Sequence, residues 1–394
     1  MKYIVLIPDG SADEPRPELD GKTPLEAAAT PNFDRLAGGG RIGLVRTIPE
    51  GFPAGSDVAN LCVMGYDPGR YYSGRAPLEA ASLGIELREN DVAFRCNLVF
   101  VEDGVMRDFA AGHISSGEAA PLIEFIGEKL GGEDAKFYPG LSYRHIMVSS
   151  GKALEAKCTP PHDIIGNEIE DYLPRGEDGD WLRGLMKDSR RLLNDHPLNR
   201  ERAQNGKAPA NMIWLWGQGK APVLPTLRDR FGLSGSVISA VDLIKGLGKY
   251  AGLEAVDVPG ATGYIDTDYE AKGRSALKEL ETKDFVYVHV EAPDEASHMG
   301  DTALKVEAIE HFDAGVAGTL LNGLQGKDNY RILLLPDHAT PLSLKTHSRD
   351  AVPFLIYDSG KLEDNRQAFD ERTAAESNLL YERGWELMEY FLKG

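Results

Sequence analysis

A doubly wound α/β core with a mostly parallel sheet, interrupted by a smaller inserted α+β domain, is the architecture that this sequence predicts. Three observations carry the expectation. Apolar runs of strand length recur in both halves of the chain, amphipathic segments separate them, and a middle stretch changes to an alternating hairpin pattern.

The run KYIVLIP at 2–8 opens the core. It is apolar on both faces, as a strand covered by helices on both sides must be, and Pro8-Asp9 ends it. In PAGSDVANLCVMGYDP, residues 53–68, the turn Gly55-Ser56-Asp57 leads into a short helical run. The texture then changes. DVAFRCNLVFVEDGVMRDF alternates and turns at Glu102-Asp103-Gly104, a hairpin signal, and HISSGEAAPLIEFIGEKLGG reads as a helix after a Ser-rich start. DWLRGLMKDSRRLLNDH reads as another helix and NMIWLWGQGKAP as a strand entering a Gly-rich loop. The core resumes with the strands SGSVISAV (234–241), DFVYVHVE (284–291), YRILLLPD (330–337) and VPFLIYD (352–358). Between and after them, VDLIKGLGKYAG (241–252), EAKGRSALKELE (270–281), LKVEAIEHFDAGVAGTLLNGL (304–324) and the terminal AAESNLLYERGWELMEYFLKG have helical periodicity. The expected division is a discontinuous core, 1–89 and 233–394, around an insert of residues 90–232. Connections near 86–92 and 230–236 would act as hinges.

The 394 residues suffice for two domains. A formal net charge of −19 opposes non-specific nucleic-acid binding, which needs a basic surface to displace counterions. Any anionic ligand must therefore be met by locally gathered cations or metal ions. Cys62, Cys96 and Cys158 are widely spaced and form no CxxC pair, so free thiols are expected rather than disulfides or a thiolate zinc site. No apolar run approaches the roughly 18 residues of a membrane span, and MKYIVLIPDG meets Pro8 and Asp9 too soon for a signal peptide, so a cytoplasmic protein is expected.

The chemistry gathers where strands end. Asp9 follows YIVLIP, Asp294 and His298 follow FVYVHVEAP, and Asp337-His338 follow RILLLP. Functional groups of open α/β sheets collect beyond the carboxyl ends of the strands, so these five side chains are expected to converge on a metal site, with room for two ions. Asp294 and His298 at i, i+4 share one helix face if the helix begins at Pro293. His347, in LKTHSRD, offers a further imidazole. Mixed Asp and His ligation suits zinc or manganese better than magnesium or calcium. His289, inside an apolar strand, and His311, inside a helix, lack that geometry and are expected to be structural. Ser56 stands at or near a helix N-terminus, where backbone N–H groups favour a phosphate attached to it.

These residues carry a family resemblance. KYIVLIPDG, Gly55-Ser56-Asp57-Val58, YSGRAPLEAASLGI at 72–85, VHVEAPDEASHMGD and LLLPDHATP with Thr346-His347-Ser348 together resemble the cofactor-independent phosphoglycerate mutases of the archaeal type, within the alkaline phosphatase superfamily. The resemblance covers nearly the whole chain. It implies an alkaline phosphatase-like three-layer core, two divalent ions (manganese or zinc foremost, cobalt or magnesium as alternatives) and a phosphoserine intermediate. Carried over motif by motif, Asp294, His298 and His347 would hold one ion, and Asp9, Asp337, His338 and Ser56 Oγ the other. Ser56 would take the phosphoryl group from 3-phosphoglycerate and return it to the 2-hydroxyl, with no need of 2,3-bisphosphoglycerate.

The insert would supply the cations that grip the substrate, and Arg107, His113, Arg144 and Lys220 are the candidates. Arg183, Arg190 and Arg191 along one helix read as a solvated face. The stretches AFRCNLVFVEDG, AGHISS and IWLWGQGKAP look more like a sub-branch of proposed homoserine kinases. Transfer to or from another small alcohol, or simple phosphomonoester hydrolysis, is therefore the alternative reading. The expected partner is a small phosphorylated substrate, with neither nucleic acid nor membrane, for a monomer or small homo-oligomer.

Overall fold

A computed structural model describes residues 1–327, 329–363 and 368–394. Its strands in chain order are β1 (Lys2–Pro8), β2 (Gly40–Val45), β3 (Val92–Glu102), β4 (Val105–Asp108), β5 (Ala135–Tyr138), β6 (Arg144–Ser149), β7 (Met212–Gly219), β8 (Gly235–Ile238), β9 (Glu254–Val256), β10 (Phe285–Val290), β11 (Tyr330–Leu334), β12 (Val352–Asp358) and β13 (Leu380–Tyr381). The chain forms two compact units. One comprises Met1–Tyr72 with Val223–Gly394, the other Ser73–Pro222.

In the first unit an eight-stranded sheet runs β13-β2-β12-β11-β1-β10-β8-β9. At its centre β1 lies parallel to both β10 and β11, with Pro8 beside Val290 and Leu6 beside Leu334. The three strands therefore end at one edge. Period-2 alternation sends Ile4, Leu6, Val286 and Val288 to one face, where Phe33, Phe312, Val316 and Leu320 cover them. The opposite face carries Tyr3, whose ring meets Phe391 edge-on at 5.7 Å, and Tyr287, whose hydroxyl donates to Asn60 Oδ1 at 2.5 Å. Helices thus cover both sides, the doubly wound arrangement expected.

Several expectations change in detail. VPFLIYD forms β12, which is antiparallel to β11 and β2 rather than parallel, and the connection 335–351 contains no helix of the kind that carries a parallel crossover. The terminal stretch is not one helix. It divides into the helices Glu371–Glu376 and Trp385–Lys393 with β13 between them, since Asn378 takes a left-handed φ of 56° that ends the first. The segment 304–324 is helical throughout but widens into a π-helix at Phe312–Gly318. There Asp313 accepts the backbone N–H groups of Asn32 and Phe33, capping the helix Pro31–Gly39 that Thr30 leaves without a side-chain cap.

The second unit is an antiparallel sheet, β4-β3-β6-β5 with β7 on the other side of β3. The helices Ser116–Leu130 and Gly179–Asn194 close one face over a core that includes Phe94, Leu98, Leu182, Met186 and Trp214. On the other face, the helix Ala76–Ser82 seals Ala93, Ile146 and Val148 with Ala76 and Ala80. With that packing, the compact units meet at 72/73 and 222/223 along the chain. Cys62, Cys96 and Cys158 are free thiols, the first two buried. No helix among the described residues is long and apolar enough to cross a membrane.

The helix Ser116–Leu130 starts with a capping box between Ser115 and Glu118, and Arg202 Nη1 reaches the Glu118 carboxylate at 2.8 Å. Burial alone would raise the Glu118 carboxyl; hydrogen bonds from Ser115, Arg202 and Lys207 outweigh it and bring it down to about 2. A carboxyl depressed on folding contributes stability above its unfolded pKa and loses that contribution as pH falls toward the folded value. Glu118→Gln should accordingly lower the urea midpoint at neutral pH. The gap from the parent protein should narrow as pH drops below the usual carboxylate range.

Candidate functional site

Asp9 follows β1 directly, held by its backbone N–H to Val290 O at 3.0 Å. Beyond β10, the helix Ala292–Met299 begins with Pro293 in its first turn and sets Asp294 and His298 on one face. Beyond β11, Leu335 donates to Leu6 O, and Asp337 and His338 follow after Pro336. Because the three strands are adjacent and parallel, all five side chains meet at one edge of the sheet, with Asp9, Asp294, Asp337 and His338 buried.

The details are close. His298 Nε2 lies 3.0 Å from Asp294 Oδ2 and 3.2 Å from His347 Nε2, and His347 Nε2 stands 3.6 Å from Asp294 Oδ1. His338 Nε2 lies 3.5 Å from both Asp9 Oδ1 and Asp337 Oδ2. Ser56 begins the helix Ser56–Val63, and its Oγ is 3.1 Å from His338 Nε2. All seven residues singled out at this edge are therefore together.

Among the described residues, three sets of donors have their ligand atoms within 4.8 Å of one another: Asp294, His298, His347; Asp9, Asp294, His338; and Asp9, His289, Asp337. The third corrects the sequence expectation for His289. That residue belongs to the cluster, because β10 turns its side chain to the same face as Tyr287 and toward Asp9 on the neighbouring strand, 3.1 Å from Asp9 Oδ2. His311 is exposed, lying beside Tyr269 and Glu307 on its own helix face.

Other residues that sequence reasoning did not single out hold the cluster in place. Asn60, one turn after Ser56, donates both to Ser56 O at 2.8 Å and to Asp337 Oδ2 at 2.7 Å. Its i, i+4 spacing was the available signal. Thr340 Oγ1 donates to Asp294 Oδ1 at 2.6 Å and lies 3.1 Å from His338 Nδ1. A single hydroxyl thus connects the two histidine-bearing groups. Gly10 has a φ of +62°, and a Cβ there would sit 2.5 Å from Asp294 Oδ1, so a side chain is excluded twice over. Behind the cluster the fully buried Lys305 donates to Asp13 Oδ2 at 2.7 Å and to Thr340 O at 3.0 Å, tying the loop after β1 to the loop after β11.

Charge sorts these groups. Burial, then the nearby Asp337 and Asp294 carboxylates, push the Asp9 carboxyl well above the ordinary range. Asp294 goes the other way: burial would raise it, but hydrogen bonds from His298 and His347 hold it well below. The same contact carries His298 up to about 9 against the pull of burial, whereas burial draws His338 and His289 down to about 4. Asp9 Oδ1 and His289 Nε2 are buried without a hydrogen-bond partner. Orphaned carboxyl and imidazole atoms facing one another in a buried site are the donor set of a borderline divalent cation such as zinc or manganese.

Of the four candidates of the second unit, two stand apart and two share one aromatic ring. Arg107 is exposed and pairs with Glu102 at 3.4 Å, and Lys220 lies half-buried beyond the end of β7. His113 and Arg144 both meet the Tyr143 ring, at 6.1 and 5.4 Å from its centre. Near Arg144 lies a group that sequence reasoning missed. Arg95, only 5% exposed, stacks over Trp216 at 4.5 Å, and its charge with those of Arg75 and Arg144 reverses the effect of burial on Glu79, lowering that carboxyl. Arg183 and Arg191 pair with Asp180 and Asp188 on their own helix.

Comparison with known proteins adds four findings. A family model described as 2,3-bisphosphoglycerate-independent phosphoglycerate mutase matches residues 37–199. A Methanosarcina barkeri protein of that same name is 52% identical over 396 residues, covering 100% of both chains. Among solved structures, a Pyrococcus horikoshii protein aligns with a TM-score of 0.84 at 30% identity over 99% of this chain and 97% of its own. The cofactor-independent phosphoglycerate mutase of Thermoplasma acidophilum aligns with a TM-score of 0.65 at 27% identity, over 100% and 99%.

The site makes one prediction without reference to any ligand. In metal-free protein followed by NMR, His298 should stay protonated to about pH 9, and His338 neutral down to about 4. Asp294→Asn should return His298 toward an ordinary imidazole value, since its carboxylate partner is what raises it.

Proposed function

The chain belongs to the 2,3-bisphosphoglycerate-independent phosphoglycerate mutases, and from that premise we propose that it interconverts 3-phosphoglycerate and 2-phosphoglycerate through a phosphoryl group carried on Ser56 beside two divalent ions. The observation that carries this reading is the position of Ser56. Its half-buried hydroxyl stands at a helix N-terminus, 3.1 Å from His338 Nε2, at the edge of the carboxylate and imidazole cluster.

Asp294, His298 and His347 would hold one ion, and Asp9, Asp337, His338 and Ser56 Oγ the other, with manganese or zinc the best match to these donors. Bound there, the ions would neutralise charge on the transferring phosphoryl group and favour the ionised serine hydroxyl. The chain's own residues do the rest. Asn60 fixes the start of the Ser56 helix against Asp337, so the nucleophile is aimed before substrate arrives. Backbone N–H groups of that helix point toward a phosphate on Ser56. In the first transfer Ser56 Oγ bonds to phosphorus as the bond to the 3-oxygen breaks. In the second, the 2-oxygen bonds to phosphorus and the bond to Ser56 breaks, and over the cycle the 2-hydroxyl proton ends on the 3-oxygen.

Within the second unit, the cations Arg144, Arg75 and Arg95 with His113 form the anion-binding surface we assign to the carboxylate of glycerate. The buried Arg95–Glu79 pair, at 3.0 Å, keeps that surface rigid.

In an assay coupled to 2-phosphoglycerate, without added bisphosphoglycerate, Ser56→Ala should lose activity by several orders of magnitude while its metal content stays near that of the parent. Retained turnover in that variant would sink the covalent route. Release of inorganic phosphate, or phosphorylation of homoserine with ATP, in place of 2-phosphoglycerate would keep the site and change the acceptor. Arg144→Ala, at an exposed position, should raise KM for 3-phosphoglycerate roughly ten- to hundredfold with kcat little changed, because it removes a charged hydrogen bond made in the ground state as well.

A further inference from the structure

His289 is the member of the cluster to which the reading above gives no part. It sits on β10 beside Ile7, two residues before Asp9 on the neighbouring strand, and its ring is 1% exposed. Its Nδ1 lies 3.3 Å from Ser239 Oγ, which already accepts the Val241 backbone N–H at 3.0 Å. A serine oxygen has two lone pairs and can take both N–H groups. In the tautomer with the proton on Nδ1, the ring turns a bare Nε2 lone pair toward Asp9 and Asp337.

Among the described residues no hydrogen-bond donor answers that lone pair. Nε2 is 3.1 Å from Asp9 Oδ2 but forms no hydrogen bond with it, and both it and Asp9 Oδ1 are buried without a hydrogen-bond partner among the described residues. Two carboxylates and an imidazole, each fully buried, bring their ligand atoms within 4.8 Å of one another. A cation among them satisfies all three, and a second hydroxyl or water does not, because it would still leave the carboxylate charges uncompensated.

We propose that His289 Nε2 is a further ligand of the ion held by Asp9 and Asp337, with Ser239 fixing the tautomer of the ring. The inference rests on the assignment of Asp9 and Asp337 to an ion. It gives that ion two imidazole ligands, His289 and His338, and so favours a transition metal over magnesium at this position. Ser239 has the part that carbonyls and carboxylates commonly have behind a ligating histidine.

Zinc added to metal-free protein carrying 15N-histidine tests this on the unaltered chain. Four imidazoles should show a metal-bound Nε2 shift, those of His289, His298, His338 and His347, and His289→Gln should remove one. In chelator competition the same variant should bind one of its two zinc ions roughly 10- to 100-fold more weakly. Three shifting imidazoles, with both zinc affinities of His289→Gln at the parent value, would overturn the proposal. The count on the parent protein decides the matter should the variant fail to fold. Asp9→Asn separates the two levels of the argument: loss of one ion there with an unmoved His289 signal defeats His289 alone, whereas two ions at parent affinity defeat the assignment of Asp9 on which it stands.

Discussion

Three carboxylates crowd the end of three adjacent parallel strands, and most of the surrounding structure answers to that crowding. Asp9 has oxygen atoms within 4.8 Å of ligand atoms on Asp294 and on Asp337, and all three residues are almost wholly buried. At such separations and an effective dielectric constant near 20, each pair would oppose folding by about 3–4 kcal/mol if both members were ionised, and after burial it is this repulsion that pushes the Asp9 carboxyl up. Two such terms rival the whole stability of an ordinary domain, about 5–15 kcal/mol. The arrangement persists because His298 and His347 flank Asp294, Asn60 donates to Asp337, and backbone N–H groups of Gly10 and His338 point at the same Asp337 oxygen.

The support extends one layer outward. Lys305 and Asp13, with side chains 0% exposed, form an ion pair that also binds the carbonyls of Ala12 and Thr340, and Asp13 in turn accepts the backbone N–H of Leu342. Leaving one member of such a pair alone in the interior typically costs about 3–5 kcal/mol, so the two loops that present Asp9 and His338 are locked to each other. Glu371 accepts from Asp13 N and from Thr23 Oγ1 at the rim of this network, and burial pushes its carboxyl up to about 7. The active edge is thus rigid because its backing is polar and fully engaged.

Much of this was legible in the sequence, for identifiable reasons. A strand that stops at a carboxylate is visible as an apolar run followed by Asp, and three such runs in a parallel sheet point to one place. Asp294 and His298 were readable because the i, i+4 rule depends only on local geometry. His289 was not: within FVYVHV it looks like one more buried position, and only the register of β10 against β1 turns it toward Asp9. Arg95 lay hidden likewise inside an apolar hairpin strand, its partners Glu79 and Trp216 lying 16 residues before and 121 residues after it. The antiparallel entry of β12 and the strand β13 escaped notice because strand direction and two-residue pairings leave no periodic trace.

The order of strands also bears on how the chain is made. Among the described residues β1 pairs only with β10 and β11, and β2 only with β12 and β13, so these neighbours of the first two strands are all encoded beyond residue 284. At about 5–20 residues per second of synthesis, the ribosome releases KYIVLIP tens of seconds before anything can pair with it. The second unit, continuous from Ser73 to Pro222, can complete its sheet in that interval. A nascent chain therefore carries a finished domain tethered to an unsatisfied apolar strand, and the segment that ends in Asp9 is the part of this protein with most need of a chaperone.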